Sequence, residues 1–156
     1  MRKFNVVIFL AFAAFVSCKK DSNKDCSPVT ITAPASEVDS LRNYISSNSI
    51  TATEDPRGFF YSVTTQGSGD KPTVCNTVTV NYTGKFTDGT PFQTASDVSF
   101  SLSDLITGWK EGIPLIGSGG SITLYLPPTL AYGSAGSGSI PPNSFLIFDI
   151  YLKAVN

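Results

Sequence analysis

Residues 105–149 read LITGWKEGIPLIGSGGSITLYLPPTLAYGSAGSGSIPPNSFLIFD. Trp109, the only tryptophan, stands beside Gly108 inside what the pattern makes a short helix, which Gly112 and Pro114 stop because glycine is entropically costly there and proline lacks a donor. Ile122, Leu124 and Leu126 then alternate with Thr123 and Tyr125, the period of a half-buried strand. A Pro127-Pro128 bend, Ala131-Tyr132-Gly133, a Gly/Ser loop and Ile140-Pro141-Pro142 lead into residues 145–152. Both faces of that last run are largely apolar, as in a central strand. The stretch holds aromatics, branched aliphatics and backbone, with no thiol, no histidine and no clustered carboxylates. Such contents suit an apolar cup that acts on a substrate's conformation.

Working upstream, Thr77–Phe86 is a second clean strand, with Val78, Val80 and Tyr82 on one face. Asp88-Gly89 is a hairpin turn. Pro91-Phe92-Gln93 leaves it, and Val98–Leu102 is a further short strand. Ser103 or Asp104 is the expected cap of the Trp109 helix, and Phe59–Val63 reads as another strand. The predicted class is α+β, an antiparallel sheet curled around one short helix. Before it, Ser36 is the expected cap of an amphipathic helix in which Val38, Leu41 and Ile45 recur at helical spacing as far as Ser47. Thr51–Arg57 reads as a polar connection.

Composition excludes several chemistries. The 156 residues contain no histidine, which removes Ser-His and Cys-His nucleophile pairs and imidazole metal sites. The formal net charge of −1 offers no basic face for nucleic acid. Gly117-Ser118-Gly119-Gly120 lacks the lysine of a phosphate loop and reads as a turn. Asp97, Asp104, Glu111 and Asp149 show no pairing suited to acid–base or metal chemistry, and solvated or capping roles are expected. No metal and no cofactor is called for.

The N-terminus carries a different message. Met1-Arg2-Lys3 is basic and Phe4–Val16 is apolar apart from Asn5, a secretory signal too short for a span of about 20 residues. Phe15-Val16-Ser17-Cys18, followed by Lys19-Lys20-Asp21, resembles a bacterial lipobox. That resemblance makes Cys18 the lipidated N-terminus of an exported, envelope-anchored protein; the alternative is an ordinary secretory signal with an incidental cysteine. Cleavage there leaves nine basic against twelve acidic residues, net −3, so a membrane hold comes from acyl chains and not from headgroup attraction. Cys26 and Cys75 remain, in a compartment where disulfides persist, either bridged or as one buried and one free thiol. The expected organisation is a signal over 1–17, a lipidated tether over 18–57 and a folded domain over 58–156.

Five fragments now fall into place: Val78-Thr79-Val80-Asn81-Tyr82-Thr83-Gly84, Asp88-Gly89-Thr90-Pro91-Phe92, Gly108-Trp109-Lys110-Glu111-Gly112, Leu130-Ala131-Tyr132-Gly133 and Ile140-Pro141-Pro142-Asn143. In this order and spacing the chain resembles the FKBP family, the macrolide-binding peptidyl-prolyl cis-trans isomerases. The resemblance implies that Trp109 floors a prolyl-ring pocket walled by Tyr82, Phe92, Val98, Leu105, Ile106, Ile140 and Phe148. It further implies that the Tyr132 hydroxyl and the Ile106 N–H meet substrate carbonyls. The latter has a separate reason, since a first-turn N–H has no intrahelical partner. The family's usual aspartate after the phenylalanine is Gln93 here, neutral, longer and with two added donors. Implied partners are proline-containing unfolded or exported polypeptides, macrolides of the FKBP-binding class, and the membrane through the lipid. The alternative function is a non-catalytic chaperone or peptide-binding module of the same fold.

Overall fold

The computed structural model describes residues 30–156. Six strands form one antiparallel sheet: β1 (Thr53–Glu54), β2 (Phe60–Thr65), β3 (Thr77–Phe86), β4 (Pro91–Ser101), β5 (Gly120–Leu126) and β6 (Leu146–Val155), in the spatial order β1-β2-β5-β6-β3-β4. Helix α1 (Ala35–Ser47) precedes the sheet, and the short helix α2 (Thr107–Gly112) lies between β4 and β5. This is the α+β arrangement expected from the alternating strands and the single Trp-bearing helix.

The central strand is β6, paired with β5 on one side and β3 on the other. Its Leu146, Ile147, Phe148, Ile150 and Leu152 are all buried, which accounts for its two-sided apolar sequence. Helix α2 lies against β5 at close range because its glycines face that strand. A Cβ on Gly108 would stand 2.5 Å from Leu126 and one on Gly112 2.6 Å from Leu124. Larger residues there would lift the helix, and Trp109 with it, off the sheet.

Strand β4 is longer than the Val98–Leu102 expected and runs unbroken from Pro91 to Ser101, with two bulges along it. Tyr82 faces Ala95 and Val80 faces Val98, so two steps along β3 match three along β4. The extra residue is accommodated at Asp97, which adopts a left-handed φ of 56° and donates its N–H to the Asn81 Oδ1 at 2.7 Å. Strict alternation would place positions 93 and 100 on opposite faces. The bulge reverses the parity and brings both to the face of Tyr82.

The helix caps also differ from expectation. Helix α1 starts at Ala35 with Pro34, not Ser36, at the cap and no side-chain capping bond; the Pro34 carbonyl accepts the N–H groups of Glu37 and Val38. Proline's fixed φ suits that entry. The cap position of α2 is neither Ser103 nor Asp104. Residues Leu102–Asp104 form their own 3-10 turn, and the cap position falls to Ile106 after an extended break.

Val38, Leu41 and Ile45 bury the inner face of α1 in the same core as the sheet. The polar stretch after it is structured as well: Thr53 and Glu54 pair with Tyr61 and Phe60. Asp55, 7% exposed, accepts bonds from the Arg57 backbone (2.9 Å) and guanidinium (2.7 and 2.9 Å). Arg57 also ion-pairs with Glu111 and lies 5.6 Å from the Phe59 ring centre, so Glu111 is a paired and not a solvated carboxylate.

Burial alone would raise the Asp55 carboxyl, but the Arg57 side-chain and backbone bonds outweigh it and hold the group below its ordinary value. A depressed carboxylate stabilises the fold above its unfolded pKa, and that contribution is lost as pH falls through the folded value. Stability is therefore expected to decline below about pH 4, with Asp55→Asn flattening this acid limb in urea titrations. An unchanged limb would mean that other carboxylates control it.

Cys75 is disulfide-bonded. Cys18 and Cys26, the other two cysteines, lie outside the described residues, as does the whole signal segment 1–17.

Candidate active site

Trp109 sits at the centre of an aromatic box because α2 delivers it from above and three strands meet beneath it. Its ring stands edge-on to Tyr82 of β3 (5.0 Å between centres, 88°), Phe148 of β6 (5.4 Å, 90°) and Phe100 of β4 (6.3 Å, 80°). Perpendicular contacts of this kind suit the quadrupoles of the rings. The indole is 4% exposed, and its Nε1 is a buried donor with no hydrogen-bond partner among the described residues. Leaving such a donor unpaired costs about 1–3 kcal/mol. A buried donor left unpaired in this way, on a ring with three aromatic neighbours, is the kind of exception that marks a functional site.

Over this box lies a cavity of about 220 Å³, lined by Tyr82, Gln93, Phe100, Leu105, Ile106, Trp109, Tyr132 and Phe148. Its size suits one small apolar ring with the adjoining backbone. Ile106, at the helix cap with φ −60° and ψ 151°, gives its carbonyl to Trp109 and Lys110. Its own N–H has no backbone acceptor among the described residues. Among the lining side chains, the polar groups are the two phenols, the Gln93 amide and the Trp109 indole N–H. Burial raises the Tyr132 phenol, and burial followed by the neighbouring Tyr132 raises that of Tyr82. Both therefore stay protonated donors throughout the physiological range.

Seven of the ten residues singled out in the sequence line this cavity: Tyr82, Gln93, Leu105, Ile106, Trp109, Tyr132 and Phe148. Phe92, Val98 and Ile140 are not among the lining residues. Phe92 stands behind the wall, edge-on to Phe148 at 5.7 Å and 5.1 Å from Phe86. The second β4 bulge, where Gly84 faces Gln93 but Lys85 faces Pro91, turns Phe92 toward Gly84. A Cβ on Gly84 would lie 2.5 Å from the Phe92 ring and 3.0 Å from Phe148, so a side chain there is incompatible with both rings. Val98 is half-buried opposite Val80, and Ile140 is buried and bonded in both directions to Ser137. Phe100 was absent from the expected set. Its signal was the parity of β4, readable only once the bulge at Asp97 is placed.

Among the described residues no three potential metal ligands of the His, Cys, Asp or Glu type cluster together. What the cavity offers is desolvation, shape, phenolic donors and the Ile106 backbone N–H at its edge.

A family model described as FKBP-type peptidyl-prolyl cis-trans isomerase matches residues 69–153. The chain is 46% identical over 102 residues to the Escherichia coli K12 protein "FKBP-type peptidyl-prolyl cis-trans isomerase FkpA", covering 63% of this chain and 38% of that one. It is 39% identical over 105 residues to "Outer membrane protein MIP" of Legionella longbeachae, covering 64% and 45%. The chain thus spans less than half the length of these curated relatives. In three dimensions it is similar to the crystal structure of FkpA from Escherichia coli, with a TM-score of 0.71, 38% identity, and coverage of 78% of this chain and 60% of that one. A Pseudomonas syringae peptidyl-prolyl cis-trans isomerase gives a TM-score of 0.69 at 29% identity, covering 80% of this chain and 97% of that one. With its motif order, its sheet over a Trp-bearing helix and a family match across more than half its residues, the chain belongs to the FKBP-type peptidyl-prolyl cis-trans isomerase family.

Proposed function

We propose that this protein catalyses cis-trans isomerisation of X–Pro bonds in exported polypeptides, by receiving the prolyl ring over Trp109 and holding the twisted amide in the cavity above it. The observation that carries this reading is the aromatic box under an opening with few polar groups, in which none of the lining side chains is an acid, a base or a strong nucleophile.

The chemistry needs none. Rotation about the amide crosses about 18–20 kcal/mol because it breaks resonance. The planar ground state is the more polar one and is favoured by water, so transfer into an apolar cup favours the twisted state. The Tyr132 hydroxyl and Ile106 N–H hold the flanking carbonyls while the bond turns. A millionfold acceleration corresponds to about 8 kcal/mol, within reach of desolvation, shape selection and two hydrogen bonds acting together.

Gln93 bears on how well the pocket is tuned, because it is a neutral rim residue that does not titrate. In a protease-coupled assay of the full chain, kcat/KM is expected to be flat from about pH 5 to 9, since both cavity phenols are pushed above their ordinary range. Gln93→Asp is expected to raise kcat/KM several-fold above about pH 5 and to introduce an acid limb. No catalysis by the natural chain at any pH, with a proline peptide still altering Trp109 fluorescence, would favour the peptide-holding module instead. The aromatic box also suits a macrolide of the FKBP-binding class.

Placement at the cell envelope is part of the same reading. It is supported by the Phe15–Cys18 lipobox resemblance and by the name of the Legionella relative. With Cys75 in a disulfide, the remaining two cysteines divide the work: Cys26 closes that bond and Cys18 carries the lipid.

A further inference from the structure

Helix α1 and the turn after β1 lie ahead of the matched residues 69–153, yet each is bonded to a segment that carries a cavity residue. The Glu37 carboxylate accepts the Thr129 N–H at one oxygen (3.0 Å) and the Thr129 hydroxyl at the other (2.8 Å). Thr129 is the middle residue of the 3-10 turn Pro128–Leu130, three residues before Tyr132. The Pro128 carbonyl accepts the N–H groups of both Ala131 and Gly133 at 2.9 Å, so the turn and the backbone around Tyr132 form one closed piece. In helix α2, Glu111, two residues beyond Trp109, pairs with Arg57.

We infer that Glu37 is a positioning residue for Tyr132, setting the phenol's place over the cavity through its two-point grip on Thr129. The inference rests on the proposed isomerase reading, in which the Tyr132 hydroxyl meets a substrate carbonyl. A two-point bond fixes the orientation of the turn as well as its distance. Orientation is what a hydrogen-bonding group in a near-attack arrangement requires, and misplacement by about 1 Å is enough to cost an order of magnitude or more in rate. Because Val38 and Leu41 anchor the same helix in the core, Glu37 projects from a rigid support.

The test is a double-mutant cycle on the full chain, with Glu37→Ala, Tyr132→Phe and the pair together, read as kcat/KM for a prolyl peptide. Glu37→Ala alone is expected to lower kcat/KM about tenfold. In the Tyr132→Phe background the same change is expected to alter it less than about twofold, because no hydroxyl remains to be placed. Glu37→Gln, which keeps one acceptor oxygen and the fold, is expected to lose about threefold. No loss from Glu37→Ala, or an equal loss in both backgrounds, would overturn the inference, since a residue that merely supports the fold acts additively. If the unmodified chain catalyses nothing, the proposed function falls separately. The same cycle read as affinity for the peptide, from Trp109 fluorescence, then decides the role of Glu37 by the same criteria.

Discussion

Trp109→Leu is expected to lower kcat/KM for a prolyl peptide about a hundredfold while changing stability by only about 1 kcal/mol. The two effects separate because the indole is expensive to keep. Its removal forfeits edge-on contacts with Tyr82, Phe100 and Phe148, worth about 2–3 kcal/mol with the buried area lost. It also removes the unpaired Nε1 donor, returning about 1–3 kcal/mol. Leucine restores part of the apolar volume but not the flat floor on which a prolyl ring would stack. Urea unfolding and a protease-coupled assay on the same preparation measure both. A stability loss above about 3 kcal/mol with catalysis intact would make Trp109 a core residue and nothing more.

Phe148→Ala has the larger structural consequence, an expected destabilisation of about 3–5 kcal/mol. Phe148 is 2% exposed, lies on the central strand between Gly84 of β3 and Leu124 of β5, and contacts Tyr82, Phe92 and Trp109 edge-on or tilted. Truncation leaves a hole that Gly84 cannot help to fill, and the neighbours sit on paired strands with little freedom to close it. Catalysis is expected to fall with it, because the same ring lines the cavity. A urea midpoint shifted by the equivalent of less than about 1 kcal/mol would show that the box repacks.

Much of this site was legible in the chain because its parts sit at element ends that leave strong local marks. Gly108 and Gly112 bracket Trp109 and mark a short helix, though their close packing on β5 shows only in the structure, and Val78, Val80 and Tyr82 give away the inner face of β3. What stayed hidden depends on register. Phe100 joins the cavity only because Asp97 takes a left-handed conformation backed by Asn81, and nothing local in Ala95-Ser96-Asp97-Val98 distinguishes that bulge from a loop. Ile140 follows the same logic in reverse: its neighbourhood is conspicuous, but the bonds to Ser137 turn the residue inward. The contacts of Glu37 with Thr129 and of Arg57 with Glu111 join residues far apart in the chain, and charged residues in polar stretches carry no periodic signal. Helix caps were misplaced for a related reason, since Ser36, Ser103 and Asp104 have cap chemistry but the chain enters each helix through a different residue.

The most direct test is cis-trans exchange of a proline peptide measured by NMR line-shape or exchange spectroscopy, with no coupling protease present, at catalytic amounts of the full chain and of Trp109→Leu. The account predicts that the natural chain speeds exchange strongly without shifting the cis:trans equilibrium, and that Trp109→Leu, folded to the same extent, loses nearly all of that acceleration. Exchange no faster than the uncatalysed peptide with the natural chain, or acceleration undiminished in Trp109→Leu, would contradict it.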